Sequence, residues 1–207
     1  MIILSHRGCW TVPDEKNSAV AFKRSFDLGF GTETDIRDSA GCLVISHDIP
    51  VGNEIHLVDF LQFYKKSLPL ALNIKSDGLV VPLKHAMQTA GILDWFVFDM
   101  SIPEMRSYLK AGIPVFARMS EVEKDPAWID EVAGIWLDSF SDIWYDTNLI
   151  DKLLNKGLRV CIVSPELHGR EHKTFWTELT VLSRHTGLML CTDFPEQAKD
   201  FFKVKIK

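Results

Sequence analysis

The chain has 207 residues, 46% of them hydrophobic, and a formal net charge of −5. That length and composition can fill one core, so a single compact domain over residues 1–207 is expected; the mild acidity, with no Lys/Arg run and no basic–aromatic interleaving, excludes a nucleic-acid-binding surface. No apolar run approaches the roughly 18 residues of a membrane span, and the opening MIILSHRG turns polar too early for the apolar core of a secretory signal, which argues against membrane insertion and for a cytoplasmic protein.

The first predicted strand, IILSH, ends in His6-Arg7-Gly8. A helix closed at Gly29 follows, and then GTETDIR, in which Thr32, Thr34 and Ile36 alternate with Glu33, Asp35 and Arg37. An ordinary half-buried strand has one apolar face, whereas here one face is wholly charged. Residues 43–46 make a returning hairpin strand that ends in His47-Asp48. Leu57, Phe60, Leu61 and Tyr64 then fall at helical spacing, as Leu149, Ile150, Leu153 and Leu154 do later. Ser101 before Pro103, and Asp125 before Pro126, read as helix starts.

Glycines 29, 91, 112, 134, 157 and 187 each precede a strand: TETDIR, WFVFD, PVFAR, IWLD, RVCIV and LMLCTD. Glycine suits the left-handed residue that closes a helix, and from Gly91 to Gly157 the steps are 21, 22 and 23 residues, one strand plus one helix each. With IILSH and LALNIK the strands number eight. Apolar strands alternating with helices imply a parallel sheet under helices, so the expected architecture is α/β, a (β/α)8 TIM barrel with residues 43–47 as an extra hairpin strand after the second strand. A doubly wound sheet is the competing architecture, and the lack of a Gly-rich phosphate turn after the first strand weighs against it. Strand ends at His6-Arg7, Asp35, Lys75, Asp99, Arg118, Asp138 and Asp193 would face the C-terminal mouth, where such barrels carry their active sites.

Cys9, Cys42, Cys161 and Cys191 form no paired metal motif; the last three lie in apolar strand runs, where reduced cysteine is ordinarily a small core residue. Glu33 and Asp35 share one strand face, and two such carboxylates repel unless a cation neutralises them. Their oxygens suit Mg2+ or Ca2+; an edge-strand pair bridged to Arg37 is the alternative. His6 and His47, brought to one mouth, could serve as base and acid, because imidazole titrates near neutral pH. Arg7 and Lys75 would offset charge on phosphate oxygens. His56, His85, His168, His172 and His185 fall in loops or helices and are read as structural.

SHRG, NSAVAFKRSFDLGFGTETDIRDSAGCLVISHD, LNIK and LCTDFPEQA, in that order, resemble the motifs of the glycerophosphodiester phosphodiesterase family, relatives of the bacterial phosphatidylinositol phospholipases. The match is close over the first third of the chain and loose at the last strand. The resemblance implies a metal-dependent phosphoric diester hydrolase acting on a small phosphodiester, a glycerophosphodiester or a nucleotide- or sugar-linked diester. It implies His6 and His47 as catalytic acid and base, Arg7 and Lys75 as phosphate contacts, and Glu33 and Asp35 as ligands of the divalent metal. Asn17 matches a helix-start position and would cap the helix and orient the loop after the first strand. The family's third metal carboxylate corresponds to Asn73, whose neutral oxygen attracts a cation less, with Asp99 or Asp138 as compensating carboxylates. Trp10 would stack on the substrate headgroup. The short segment after His47-Asp48, IPVGNEIHLVDFLQFYKKSLP, implies an open mouth. The rival reading is a non-catalytic barrel that has lost a metal carboxylate and holds an anionic diester.

Overall fold

The structure is a computed structural model that describes residues 1–65 and 67–204. The chain falls into two compact units, one of Ser5–Val115 and one of Met1–Leu4 with Phe116–Lys207; β1 (Ile2–His6) contributes residues to each.

In the Ser5–Val115 unit, α1 (Ala19–Asp27) starts where Ser18 accepts a hydrogen bond from Ala21 N (3.4 Å) and ends in Gly29 at φ +79°, as helix-terminal chemistry requires. It buries Ala21, Phe22 and Phe26, and Phe22 meets Phe60 of α2 (Leu57–Gln62) edge to face at 4.6 Å. β2 (Gly31–Ser39) pairs in parallel with β5 (Leu70–Ile74), and β5 with β6 (Trp95–Phe98). β3 (Cys42–Ile45) returns antiparallel to β2 with Ile36 opposite Ile45, and a two-residue β4 (Ile55–His56) extends that edge. β3 is therefore the hairpin strand expected after the second strand, while β4 is an addition too short to leave a periodic signal. α3 (Val80–Thr89) and α4 (Ile102–Lys110) follow β5 and β6; Ser101 caps α4 by accepting from Glu104 N (3.3 Å) with Pro103 in the first turn.

In the other unit β7 (Phe116–Met119), β8 (Gly134–Leu137), β9 (Arg159–Val163) and β10 (Leu188–Thr192) pair in parallel, each with the next. α5 (Thr147–Asn155), capped by Asp146 through Leu149 N (3.0 Å), buries Ile150, Leu153 and Leu154; α6 (Lys173–Leu179) and α7 (Pro195–Phe202) complete the unit.

Three helix signals are corrected, the first being Gly187, which sits in a turn without the left-handed backbone of a helix stop. Asp125-Pro126 starts no helix: residues 121–133 are turns, bends and irregular chain, with one isolated bridge from Glu123 to Ser120. Gly134 is not a helix stop but the first residue of β8, where an added Cβ would lie 2.5 Å from Arg159 O and 2.6 Å from the Phe116 ring; close approach of neighbouring strands, rather than a left-handed turn, requires glycine there. Cys42 also departs from expectation, being exposed on β3, whereas Cys9, Cys161 and Cys191 are buried. Among the described residues no helix is long and apolar enough to cross a membrane.

Candidate active site

The residues singled out at the ends of the first strands converge within the Ser5–Val115 unit. Beyond β1 the chain turns sharply, with Arg7 at φ +57° and Gly8 at φ +85°. A Cβ on Gly8 would sit 2.8 Å from Ala21 Cβ, and Cys9 N donates to Ala21 O (3.0 Å). The glycine of HRG thus lets the turn press onto α1, which aims His6 and Arg7 at β2. Arg7 N donates to Glu33 O (2.9 Å) and also lies 3.2 Å from Glu33 Oε2.

Glu33 and Asp35 lie on one face of β2 and are buried, Asp35 completely. The Arg37 alternative does not hold: Arg37 donates to His47 O (3.3 Å), and the cations on Asp35 are Arg7, with Nε at 3.0 Å, and Lys75, with Nζ at 3.3 Å. Asn17 Nδ2 donates to Asp35 Oδ2 (2.8 Å), while Asn17 Oδ1 accepts from Thr34 Oγ1 (2.8 Å). This corrects the expected role of Asn17. Ser18 is the cap; Asn17, at φ +58°, is the strut that fixes Asp35. Short polar Asn tolerates that left-handed backbone better than most residues, but which groups it would reach depends on β2 lying alongside and left no local signal.

Electrostatics separates the two carboxylates. Burial pushes Asp35 toward the neutral form, yet Arg7, Lys75 and the Asn17 amide outweigh it and hold the group below the usual carboxylate range. Glu33 moves the other way: burial, then the charge of Asp35, push it well above that range, and Arg7 and Lys75 offset this only in part.

His6 Nε2 is 3.9 Å from Glu33 Oε2. His47 is delivered by the hairpin: Ser46 N donates to Asp35 O (3.1 Å), and the His47 ring stands close enough to Asp35 to favour its ionised form. Its Nδ1 lies 2.9 Å from Asp48 Oδ1 and its side chain is 45% exposed, so Asp48 orients the ring and leaves Nε2 for a ligand. Asn73 is the register partner of Asp35. Its Nδ2 donates to Asp99 Oδ2 (3.2 Å), whereas its Oδ1 is buried without a hydrogen-bond partner; Asp35 Oδ1 makes no hydrogen bond but carries the Lys75 ion pair. Trp10 is half-buried, with Lys16 Nζ 4.5 Å from the centre of its ring.

Among the described residues no three His, Cys, Asp or Glu side chains cluster as a ready metal site. The donor set instead is two carboxylates and an amide oxygen, and the buried amide oxygen has no hydrogen-bond partner. Hard oxygen donors of this kind fit Mg2+ or Ca2+. Asp138, the other compensating carboxylate considered, is bound by His168 Nε2 at 2.8 Å in the other unit.

No family model matches the chain, and no curated protein does. Solved structures do. A glycerophosphodiester phosphodiesterase from Agrobacterium tumefaciens is similar over 99% of this chain and 100% of its own, with TM-score 0.75 and 16% identity. The chain has the fold of the glycerophosphodiester phosphodiesterases. The enzyme of that name from Thermotoga maritima matches with TM-score 0.70 at 13% identity, over 99% and 98% of the two chains. A third, from Parabacteroides distasonis, gives TM-score 0.68 at 13% identity over 100% and 88%. The fold of this enzyme group is the α/β TIM barrel that the glycine periodicity anticipates.

Proposed function

We propose that the chain is a phosphodiesterase that hydrolyses a small phosphodiester, with glycerophosphodiesters as the first substrate class and nucleotide- or sugar-linked diesters as the next. One observation carries the reading. Two histidines on separate segments flank a buried carboxylate pair, with an arginine and a lysine beside them, at the strand ends of this fold. An interior built only for stability seldom gathers so many ionisable groups.

Arg7 and Lys75 bind the phosphate and offset charge growing on its oxygens, Arg7 through a planar fork and Lys75 as a point charge. His6 and His47 handle the two protons: one ring takes a proton from the attacking water or substrate hydroxyl, the other gives one to the leaving alkoxide. Asp48, on His47 Nδ1, fixes the ring that presents Nε2. Glu33, Asp35 and Asn73 would hold Mg2+ or Ca2+, which when bound supplies Lewis-acid polarisation of the phosphate. Trp10 would contribute an aromatic edge to the headgroup.

The test is phosphorus NMR of a panel of glycerophosphodiesters and nucleotide-linked diesters incubated with the purified chain and Mg2+ or Ca2+. Conversion that stops with chelator and in His47→Ala is expected, and the cleaved diester names the substrate. A panel that remains unchanged while one diester binds would replace this reading with a non-catalytic phosphodiester-binding barrel.

A further inference from the structure

Asn73 offers the cation site a neutral oxygen between two carboxylates, and what fixes that oxygen lies one strand over. Asp99 follows the last residue of β6, at φ +63°, and accepts Asn73 Nδ2–H at 3.2 Å. An amide nitrogen only donates, and an ionised carboxylate only accepts. This bond therefore admits one orientation of the amide, with Oδ1 turned away from Asp99. Asn73 is 8% exposed, and Oδ1 has no hydrogen-bond partner. In the parallel register Asn73 lies beside Asp35, whose Oδ1 carries the Lys75 ion pair (3.3 Å) and no hydrogen bond. A buried amide oxygen without a partner is destabilising, and such an oxygen next to a carboxylate is an acceptor-rich spot that a donor or a cation satisfies.

We propose that Asp99 is the positioning residue of the cation site. Its carboxylate locks the Asn73 amide so that Oδ1 points to the cation, and adds a third negative charge one hydrogen bond behind that oxygen. Partners of this kind orient a ligand and raise its donor strength. Asp99 does so without touching the cation, which agrees with the absence of a three-carboxylate cluster among the described residues. The left-handed backbone at residue 99 belongs to the same device, since it brings the side chain back toward β5.

The inference rests on the cation site proposed above, and calorimetric titration of the purified chain with CaCl2 and with MgCl2, without substrate, separates the two. Asp99→Asn suits the test because asparagine tolerates the left-handed conformation and keeps an acceptor while losing the charge. We expect its cation affinity to fall roughly 10-fold or more. The exchange Asn73→Asp/Asp99→Asn, which moves the carboxylate into contact and leaves the amide behind it, should regain most of the loss; circular dichroism of each variant checks the fold. Unchanged affinity in Asp99→Asn overturns the inference. So does a loss that the exchange does not recover, because the defect would then be one of packing. If the wild-type chain binds neither cation, the cation site itself falls, and this inference with it.

Discussion

In the Ser5–Val115 unit the fully buried Asp35 is held at Oδ2 by Arg7 and Asn17 and at Oδ1 by the Lys75 ion pair, without a hydrogen bond there. In the other unit Glu166, also nearly buried, accepts from Ser164 Oγ, Thr192 Oγ1 and Asp193 N, with His172 Nδ1 3.9 Å away. Asp138 there accepts from His168 Nε2 (2.8 Å) and Ser139 N (2.7 Å). Both units end strands in acidic residues near histidines, and composition does not tell them apart. Saturation does. Among the described residues a buried carboxylate oxygen rests on a cation without a hydrogen bond only on the side of His6 and His47. A carboxylate held by hydrogen bonds from its own neighbours ties strands together; one held largely through cations can share those cations with a ligand.

The comparison can be broken most directly through its histidines. His47→Ala should lower phosphodiester turnover by about 10²- to 10⁴-fold with little change in unfolding midpoint, since the ring is largely exposed. His168→Ala should leave turnover within a few-fold but cost stability, because Asp138 loses a partner in a buried setting; a loss of about 1–3 kcal/mol by denaturant titration is expected. Equal loss of turnover in both variants would erase the distinction between the units.

Glu166→Ala tests the saturated side. It strands two hydroxyls and a backbone N–H, so destabilisation of about 2–3 kcal/mol is expected in urea unfolding, larger than for the exposed Glu196→Ala.

Glu33→Gln sharpens the open side, with a smaller effect of the opposite sign. Because the folded-state pKa of Glu33 is raised above its ordinary value of 4.5, the native chain without metal binds more protons than the unfolded chain between the two values. Stability from this group therefore falls as pH rises through that window. The variant should be more stable than wild type at neutral pH by about 1 kcal/mol, and the difference should vanish toward pH 4. Asp35, lowered below its ordinary 3.8, contributes the reverse: stability present above 3.8 and lost as pH falls through its lower folded value. Unfolding midpoints measured across this range in chelator check both signs; a Glu33→Gln chain less stable than wild type at pH 7 would remove the claim that burial and Asp35 disfavour the ionised form of Glu33.

Much of the site was legible because its residues sit at strand ends that hydrophobic runs and glycines mark. His6, Arg7, Glu33, Asp35 and Lys75 meet as the alternation of GTETDIR and the HRG turn suggest, and His47 arrives through the hairpin. The role of Asn17 was not legible, since its bonds to Thr34 and Asp35 span 17 and 18 residues. Nor was the Asp125-Pro126 turn, where a sound helix-start signal has no helix behind it; a cap signal is local, whereas a lasting helix needs an apolar face to bury.

The sequence by itself determined the alternation of strands and helices, the left-handed glycines at 29, 91, 112 and 157, and a strand with a charged face, because periodicity and backbone sterics act over a few residues. Tertiary structure alone decided which charges meet: that Asp35 is held by Arg7, Lys75 and Asn17 rather than Arg37, that Asp99 orients Asn73, and that Asp138 belongs to His168. Coulomb and hydrogen-bond energies depend on separations of a few ångströms, and for residues 18 to 40 positions apart only the register of the folded strands sets those separations.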